Sequence, residues 1–103
     1  RRKLGLVPVE GQDHLPGHVV LAQNYQNPFN PSTRIAYTLA SAGVIRLAVY
    51  DLLGRQVRVL AEGWMEAGRH QTVFDASGLG GGVYFYRLEG QRASETRRMI
   101  IVR

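Results

Sequence analysis

The chain has 103 residues, of which 45% are hydrophobic and 20% are charged. This length fits a single domain, and no apolar run approaches the roughly 20 residues of a membrane-spanning helix, so we expect no membrane insertion. The formal net charge is +5, but the thirteen basic residues, all but one of them arginine, are scattered along the chain, which favours a solvated basic surface and no nucleic-acid partner.

The first residues differ in pattern from the rest. Residues 1–17 carry two prolines, three glycines and no sustained alternation, which predicts a linker from an upstream domain. The opening "RRKLGLVPVE" has neither an initiator methionine nor a signal-peptide pattern, so we expect a piece of a longer protein. Period-2 alternation begins near His18, and residues 18–103 are predicted to be the folded domain.

Seven strand candidates follow one another between turn signals. In the second, Ile35, Tyr37 and Leu39 alternate with more polar neighbours, and no window carries a helical stripe over three turns. Such spacing predicts an all-β fold, an antiparallel immunoglobulin-like β-sandwich of about seven strands, with a small barrel as the alternative. The candidates are residues 18–23, 33–39, 44–51, 55–62, 69–76, 82–89 and 94–103.

Two connections between these strands have a recognisable chemistry. In "DLLGR" (51–55), the Asp51 side chain is placed to accept turn N–H groups and Gly54 to adopt a positive φ, which predicts a hairpin turn. In "DASGLGGGVY" (75–84), glycines precede an aromatic strand, and we expect the Tyr84 hydroxyl to bond back to the loop as a tyrosine corner.

The stretch "NYQNPFNPST" (24–33) holds two Asn-Pro pairs around Phe29. Each pair marks a turn, because proline fixes its own φ and restricts the residue before it. We expect Phe29 to anchor the loop in the core and Asn27 and Asn30 to satisfy turn amides. A stiff loop also presents exposed groups to a receptor at little ordering cost, so scaffold and recognition roles are both open.

The terminal stretch "RMIIVR" (98–103) is apolar between two arginines. An edge strand at this position is able to pair with another sheet, and this would make it a contact surface. A strand that only completes the core is the alternative.

No pattern of catalytic residues emerges. The five glutamates, three aspartates and three histidines are dispersed, Ser77 lacks the nucleophile-elbow motif, and cysteine is absent, so we predict no catalytic site, no metal and no cofactor. Trp64 and the aromatic run 84–86 suggest a sugar platform, but alternation places Tyr84 and Tyr86 opposite Phe85, which favours the core.

Four ordered stretches together carry a family resemblance: "NYQNPFNPSTRIAYTL", "VYDLLGRQV", "GRHQTVFDASGLGGGVYFYRL" and "TRRMIIVR". Residues 21–103 resemble the type A C-terminal sorting domain of the bacterial type IX (Por) secretion system, and are similar to the related immunoglobulin-like domain of the flagellar hook-capping protein. Arginine stands at both terminal basic positions, where the family commonly has lysine. The sorting-motif candidates carried over are Asn27, Pro28, Phe29, Asn30, Pro31, Gly82, Tyr84, Arg98, Met99, Ile100, Ile101, Val102 and Arg103.

The resemblance implies a non-enzymatic module at the end of a larger cargo protein, which can itself be an enzyme such as a hydrolase. It implies Sec-dependent passage to the periplasm and then translocation by the type IX outer-membrane machinery. Removal by a sortase and attachment of the cargo to surface lipopolysaccharide commonly follow, which implies a cell-surface or extracellular location. The alternatives are a structural immunoglobulin-like module or a carbohydrate-binding module of an extracellular enzyme.

Overall fold

The computed structural model describes residues 18–103, which form seven β-strands and no helix. The predicted linker over residues 1–17 lies outside the described residues. The strands are β1 (Val19–Leu21), β2 (Ser32–Leu39), β3 (Gly43–Tyr50), β4 (Gln56–Met65), β5 (Gly68–Asp75), β6 (Gly82–Glu89) and β7 (Ser94–Ile101).

Each strand lies where alternation predicts one, and the largest difference is the length of β4. We expected this strand to end at residue 62, but it continues to Met65. The reason is that Gly43–Ile45 of β3 provides ladder partners for residues 63–65. Gly63 adopts a φ of 117°, which interrupts the alternation of side chains in the sequence but does not end the strand pairing.

The strands form two antiparallel sheets, which confirms the predicted β-sandwich. One has the order β1-β2-β5 and the other the order β4-β3-β6-β7. Strands 1, 2 and 5 and strands 3, 6 and 7 take the places of A, B, E and C, F, G in an immunoglobulin sandwich. The fourth strand pairs with β3 and thus belongs to the second sheet rather than the first.

The core lies between the inner faces of the two sheets. Side chains alternate in and out along each strand, and the inward residues Ile35, Leu47, Phe74 and Tyr86 are at most 1% exposed. Phe85, which points outward, is half-buried. The aromatic residues of β6 are thus divided between the two faces, as alternation predicts.

One end of the sandwich collects four segments of the chain. Ser32 pairs with Asp75 at this end of the first sheet, and Gly82 pairs with Ile101 at this end of the second. We name it the motif end. It comprises the loop 22–31, the turn 51–55, the loop 76–81 and the terminal residues 102–103.

Candidate functional site

The loop that contains both Asn-Pro pairs lies along the outer edge of β7. The Phe29 N–H donates to the Ile100 carbonyl at 3.1 Å, and the Val102 N–H donates to the Phe29 carbonyl at 2.9 Å. The Ile100 N–H donates to Oδ1 of Asn27 at 2.9 Å. Asn27 therefore satisfies an amide of the last strand, and not one of its own turn as we expected.

This arrangement changes the interpretation of the terminal strand. β7 is an edge strand, as predicted, but Gln23 Nε2 donates to the Arg98 carbonyl at 2.7 Å and Phe29 bridges Ile101 in parallel. The outer edge near Arg98–Val102 is therefore occupied from within the chain. It is unavailable to another sheet while the loop 22–31 stays in place.

Phe29 fastens this loop to the core. Its side chain is 2% exposed, which confirms the predicted anchor. The ring meets Phe74 edge to face, with centroids 5.9 Å apart and an interplanar angle of 62°, an arrangement that aromatic quadrupoles favour. Because Phe29 is buried, a partner does not reach its side chain in the folded domain.

A buried polar network holds the other half of the loop. The Asn24 N–H donates to the Tyr86 hydroxyl at 2.7 Å, and that hydroxyl donates to the Ala22 carbonyl at 2.8 Å. Asn24 Nδ2 donates to the Gln26 carbonyl at 2.9 Å and to Thr33 Oγ1 at 3.0 Å. Burial raises the pKa of Tyr86, so the phenol stays a neutral donor.

The sequence did not identify Asn24, Thr33 or Tyr86 as members of the site. Asn24 and Thr33 are each 3% exposed. Polar residues at the two ends of a turn-rich loop are a signal for such a network, but their shared partner, Tyr86, lies 62 positions from Asn24. Only the packing of the two sheets brings them together.

The glycine-rich loop 76–81 closes the same end. The Tyr84 hydroxyl donates to the Gly80 carbonyl at 2.9 Å, which confirms the predicted tyrosine corner. The Ala76 N–H donates to the Pro31 carbonyl at 2.9 Å, so this loop also binds the Asn-Pro loop. A Cβ on Gly81 would lie 3.1 Å from Arg103 Cγ, so a side chain at that position would crowd Arg103.

The two terminal arginines are not equivalent. Arg103 Nε donates to the Leu79 carbonyl at 2.8 Å, and its Nη2 donates to the carbonyls of Ala76 and Leu79. Arg103 therefore holds the loop 76–81. The Arg98 side chain is exposed, and no partner for its guanidinium lies among residues 18–103, so its donors face solvent.

The turn between β3 and β4 is held by one carboxylate. Asp51 Oδ1 accepts the N–H groups of Leu53 and Arg55, each at 2.9 Å, and Gly54 has a φ of 82°, which confirms the predicted turn chemistry. The backbone hydrogen bond from Arg55 is the main cause that lowers the pKa of Asp51. The hydrogen bond from the Ser77 hydroxyl likewise lowers the pKa of Asp75.

The motif end thus brings the sequence-predicted residues into one place and divides them by exposure. Pro28, Asn30, Pro31 and Gly82 are exposed with Asn27 and Arg98. Of the last residues, Met99 and Ile101 are buried, whereas Ile100 and Val102 are 37% and 47% exposed. The buried members build the end of the sandwich, and the exposed members form its surface.

The described residues offer little for chemistry. Between residues 18 and 103, no group of three or more His, Asp or Glu side chains is placed to hold a metal ion. The same part of the chain has no helix long and apolar enough to cross a bilayer. What the motif end presents is a surface of hydrogen-bonded loops and an exposed arginine, which suits contact with another macromolecule.

Fold and site thus define a β-sandwich domain whose characteristic residues meet at one end of the two sheets. The model of the secretion system C-terminal sorting domain family matches residues 23–102. The chain belongs to this family, and it is a C-terminal sorting signal for type IX secretion. The family is a sorting-signal family and not a catalytic one. No curated protein and no solved structure matches the chain.

Membership has three direct consequences. A sorting domain acts with the secretion machinery, and its cargo is part of the same chain. Its destination is the cell surface or the extracellular space. The matched residues 23–102 include all four segments of the motif end almost completely.

Proposed function

We propose that the motif end is the part of the domain that the type IX outer-membrane machinery recognises. The observation that carries this proposal is the convergence of three separate motifs, 27–31, 82–84 and 98–103, through the backbone bonds of Phe29 with Ile100 and Val102 and the pairing of β6 with β7. A preformed surface loses little conformational entropy when it binds. The domain itself performs no reaction, passes through the periplasm and acts only as an address.

Among the candidates, the exposed ones are the contacts and the buried ones are the scaffold. Asn30, Pro28 and Arg98 are exposed, and a receptor carboxylate would form a charge-assisted hydrogen bond with the Arg98 guanidinium. Phe29, Tyr84 and the β7 residues Met99 and Ile101 support this surface from below.

We further propose that a sortase removes the domain at a bond before Val19, after which the cargo is attached to the surface. β1 is held on both edges, by its pairing with β2 on one and by side chains of β7 on the other: the Leu21 N–H donates to Glu95 at 2.8 Å and Arg97 donates to the Leu21 carbonyl at 2.5 Å. Proteases need extended, accessible backbone, and this segment of β1 does not offer it. Mass spectrometry of the released cargo would test the proposal, and a new terminus within residues 19–101 would contradict it.

A carbohydrate-binding role finds less support. Such modules use a row of exposed aromatic rings on one face, as the stacking of sugars requires. Among the described residues, the strongly exposed aromatic side chains are Tyr25, 72% exposed, and Trp64, 63% exposed. Tyr25 pairs with Arg34 beside the first sheet, whereas Trp64 lies on β4 of the second, so they form no row.

The proposed function is tested by fusing the 103-residue chain to a periplasmic reporter in a host with a type IX system. We expect the reporter to appear at the cell surface or in the medium, and to remain in the periplasm when the outer-membrane machinery is deleted. A purely structural module would leave the reporter in the periplasm of both strains.

A further inference from the structure

A shallow groove crosses the outer face of the four-stranded sheet beside the motif end. One part, about 250 Å³ in volume, is lined by Tyr50, Leu52, Phe85, Arg87 and Thr96 among others. A second part, about 430 Å³, shares Phe85 and Thr96 and continues to Arg98. We name the two parts together the Phe85 groove. Of the residues that line it, only Arg98 belongs to the sorting-motif candidates.

The ladder of the sheet explains why these side chains share one face. Phe85 is the register partner of Tyr50 on β3 and of Arg98 on β7. Directly paired residues in a sheet point to the same side. The half-buried Phe85 ring therefore forms the floor of the groove, between an aromatic neighbour and a cation.

A rigid turn forms one bank of the groove. Leu52 and Leu53 at its tip are 67% and 77% exposed, although Asp51 fixes the backbone around them through two N–H groups. The Asp51 N–H also donates to the Arg55 carbonyl at 2.9 Å. Two exposed leucines on this turn are apolar anchors whose backbone is already ordered before binding.

The groove carries mainly positive charge. The Arg87 guanidinium lies 5.0 Å from the Tyr50 ring centroid, and the Glu89 carboxylate is 3.8 Å away at an exposed position. Arg98 has no ion-pair partner among residues 18–103. The carboxylate in the lining is Asp51, and it is bound to Arg55 at 2.9 Å. Both groove arginines therefore have donors to spare for an anionic partner.

We propose that the Phe85 groove is a docking surface for a protein of the secretion machinery, which inserts an apolar side chain flanked by carboxylates. The apolar group covers Phe85 and contacts Leu52, and the carboxylates pair with Arg87 and Arg98. This inference rests on the proposed function, because it names the chemistry of the partner that reads the motif end. It adds a surface that the sequence motifs do not contain.

The test uses the full chain fused to the reporter in the type IX host. Arg87→Glu with Arg98→Glu reverses both groove charges, and Arg34→Glu with Arg69→Glu is the matched control on exposed positions of the other sheet. We expect export to fall at least about tenfold in the groove variant, as the loss of charge-assisted hydrogen bonds implies, and to stay near the wild-type level in the control. Equal export of all three proteins, or an equal loss in both variants, would overturn the proposal.

A second pair of variants guards against misfolding. Leu52→Ser changes the leucine that lines the groove, and Val73→Ser is its control, since Leu52 is 67% exposed and Val73, on the other sheet, is 62% exposed. We expect Leu52→Ser to reduce export several-fold at an unchanged melting temperature, and Val73→Ser to leave both unchanged. Normal export of Leu52→Ser would count against the docking surface even if the arginine variants failed to fold.

Photo-crosslinking distinguishes the occupants. With benzoylphenylalanine in place of Thr96, we expect a crosslink to an outer-membrane machinery protein, on a peptide that carries Asp or Glu beside an apolar residue. The same probe in place of Gln71, exposed on the other sheet, should give none. A crosslink to lipid or to a second copy of the chain would overturn the inference. Failure of the unmodified fusion to be exported would instead reject the proposed function.

Discussion

Phe29 and Ile101 form a parallel β-bridge that joins the Asn-Pro loop to the last strand. Both side chains are 2% exposed, and the backbone bonds on either side of the bridge run through Ile100 and Val102. The bridge adds the loop to the edge of the four-stranded sheet, beside β7. It protects the edge of β7 in the way that natural sheets cover exposed edges.

Asn27→Ala should open this edge locally. The variant leaves the Ile100 N–H without its acceptor at 2.9 Å, and we expect a faster hydrogen exchange of that amide and a loss of about 1 kcal/mol of stability. NMR-detected exchange measures the effect at Ile100 and Val102. Asn30→Ala, in the second Asn-Pro pair, is the control and should leave both amides protected. Identical exchange rates of these amides in the two variants would show that Asn27 does not protect the edge of β7.

Phe29→Ala should destabilise the domain by roughly 3 kcal/mol, the range for a truncated core aromatic. The cause is the loss of its burial and of the contact with Phe74, at 5.9 Å between centroids. Urea denaturation gives the value, with Tyr25→Ala as control, because Tyr25 is 72% exposed in the same loop. A control as destabilised as Phe29→Ala would show that the loop, and not the ring, carries the stability.

Arg98→Gln and Arg103→Gln should separate recognition from folding. Arg103→Gln loses bonds to the carbonyls of Ala76 and Leu79, so we expect it to cost about 1 kcal/mol. Arg98→Gln should cost under about 0.5 kcal/mol, as exposed substitutions do, and yet lower export about tenfold if a receptor carboxylate binds it. Thermal melts and the export assay give the two values. Wild-type export of Arg98→Gln would show that the receptor does not bind Arg98 and would favour the loops as the contact surface.

Gly81→Ala should be costly, whereas Gly80→Ala should be tolerated. A Cβ at position 81 would lie 3.3 Å from the Ile101 carbonyl oxygen and 3.1 Å from Arg103 Cγ, but at position 80 nothing lies within 4 Å. Overpacking of this kind costs about 1–3 kcal/mol. Chemical denaturation of the two variants provides the comparison, and equal midpoints would mean that the terminal residues move aside without strain.

The stability of the domain should depend on pH through Asp51. Hydrogen bonds from its own turn lower the pKa of Asp51 in the folded chain, so its stabilisation is complete above the ordinary carboxyl value of about 3.9 and is lost as the pH falls through the lowered value. We expect Asp51→Asn to be less stable than the wild type at about pH 7, and this difference to narrow as the pH falls toward about 2. Denaturation midpoints at both values test this, and a gap that persists in acid would contradict it.

The strands were predictable because alternation is a local property of the sequence. Phe29 as an anchor, Tyr84 as a corner and Asp51 as the organiser of a turn were also predictable, since each interacts within a few residues or with a core that any sandwich must have. These expectations needed no knowledge of how distant strands align.

The remaining features depend on distant parts of the chain. That Asn27 bonds Ile100 and that Arg103 bonds Leu79 follows from the register of β6 with β7, which is a property of the assembled sheets. Sequence reasoning treated the two terminal arginines alike for this reason. It also left open whether the edge of β7 was free, because the loop that covers this edge lies more than 70 residues earlier in the sequence.

The bonds between the Asn-Pro loop and β7 have a consequence for the order of folding. They join positions 73 and 75 apart in the sequence, and contacts of such separation form late because a long segment must first be closed into a loop. A polypeptide that emerges amino-terminus first lacks the β7 partners of the loop until the last strand has been made. A chain truncated before Met99 cannot form these bonds. The complete motif end is therefore present only in chains that were synthesised through β7.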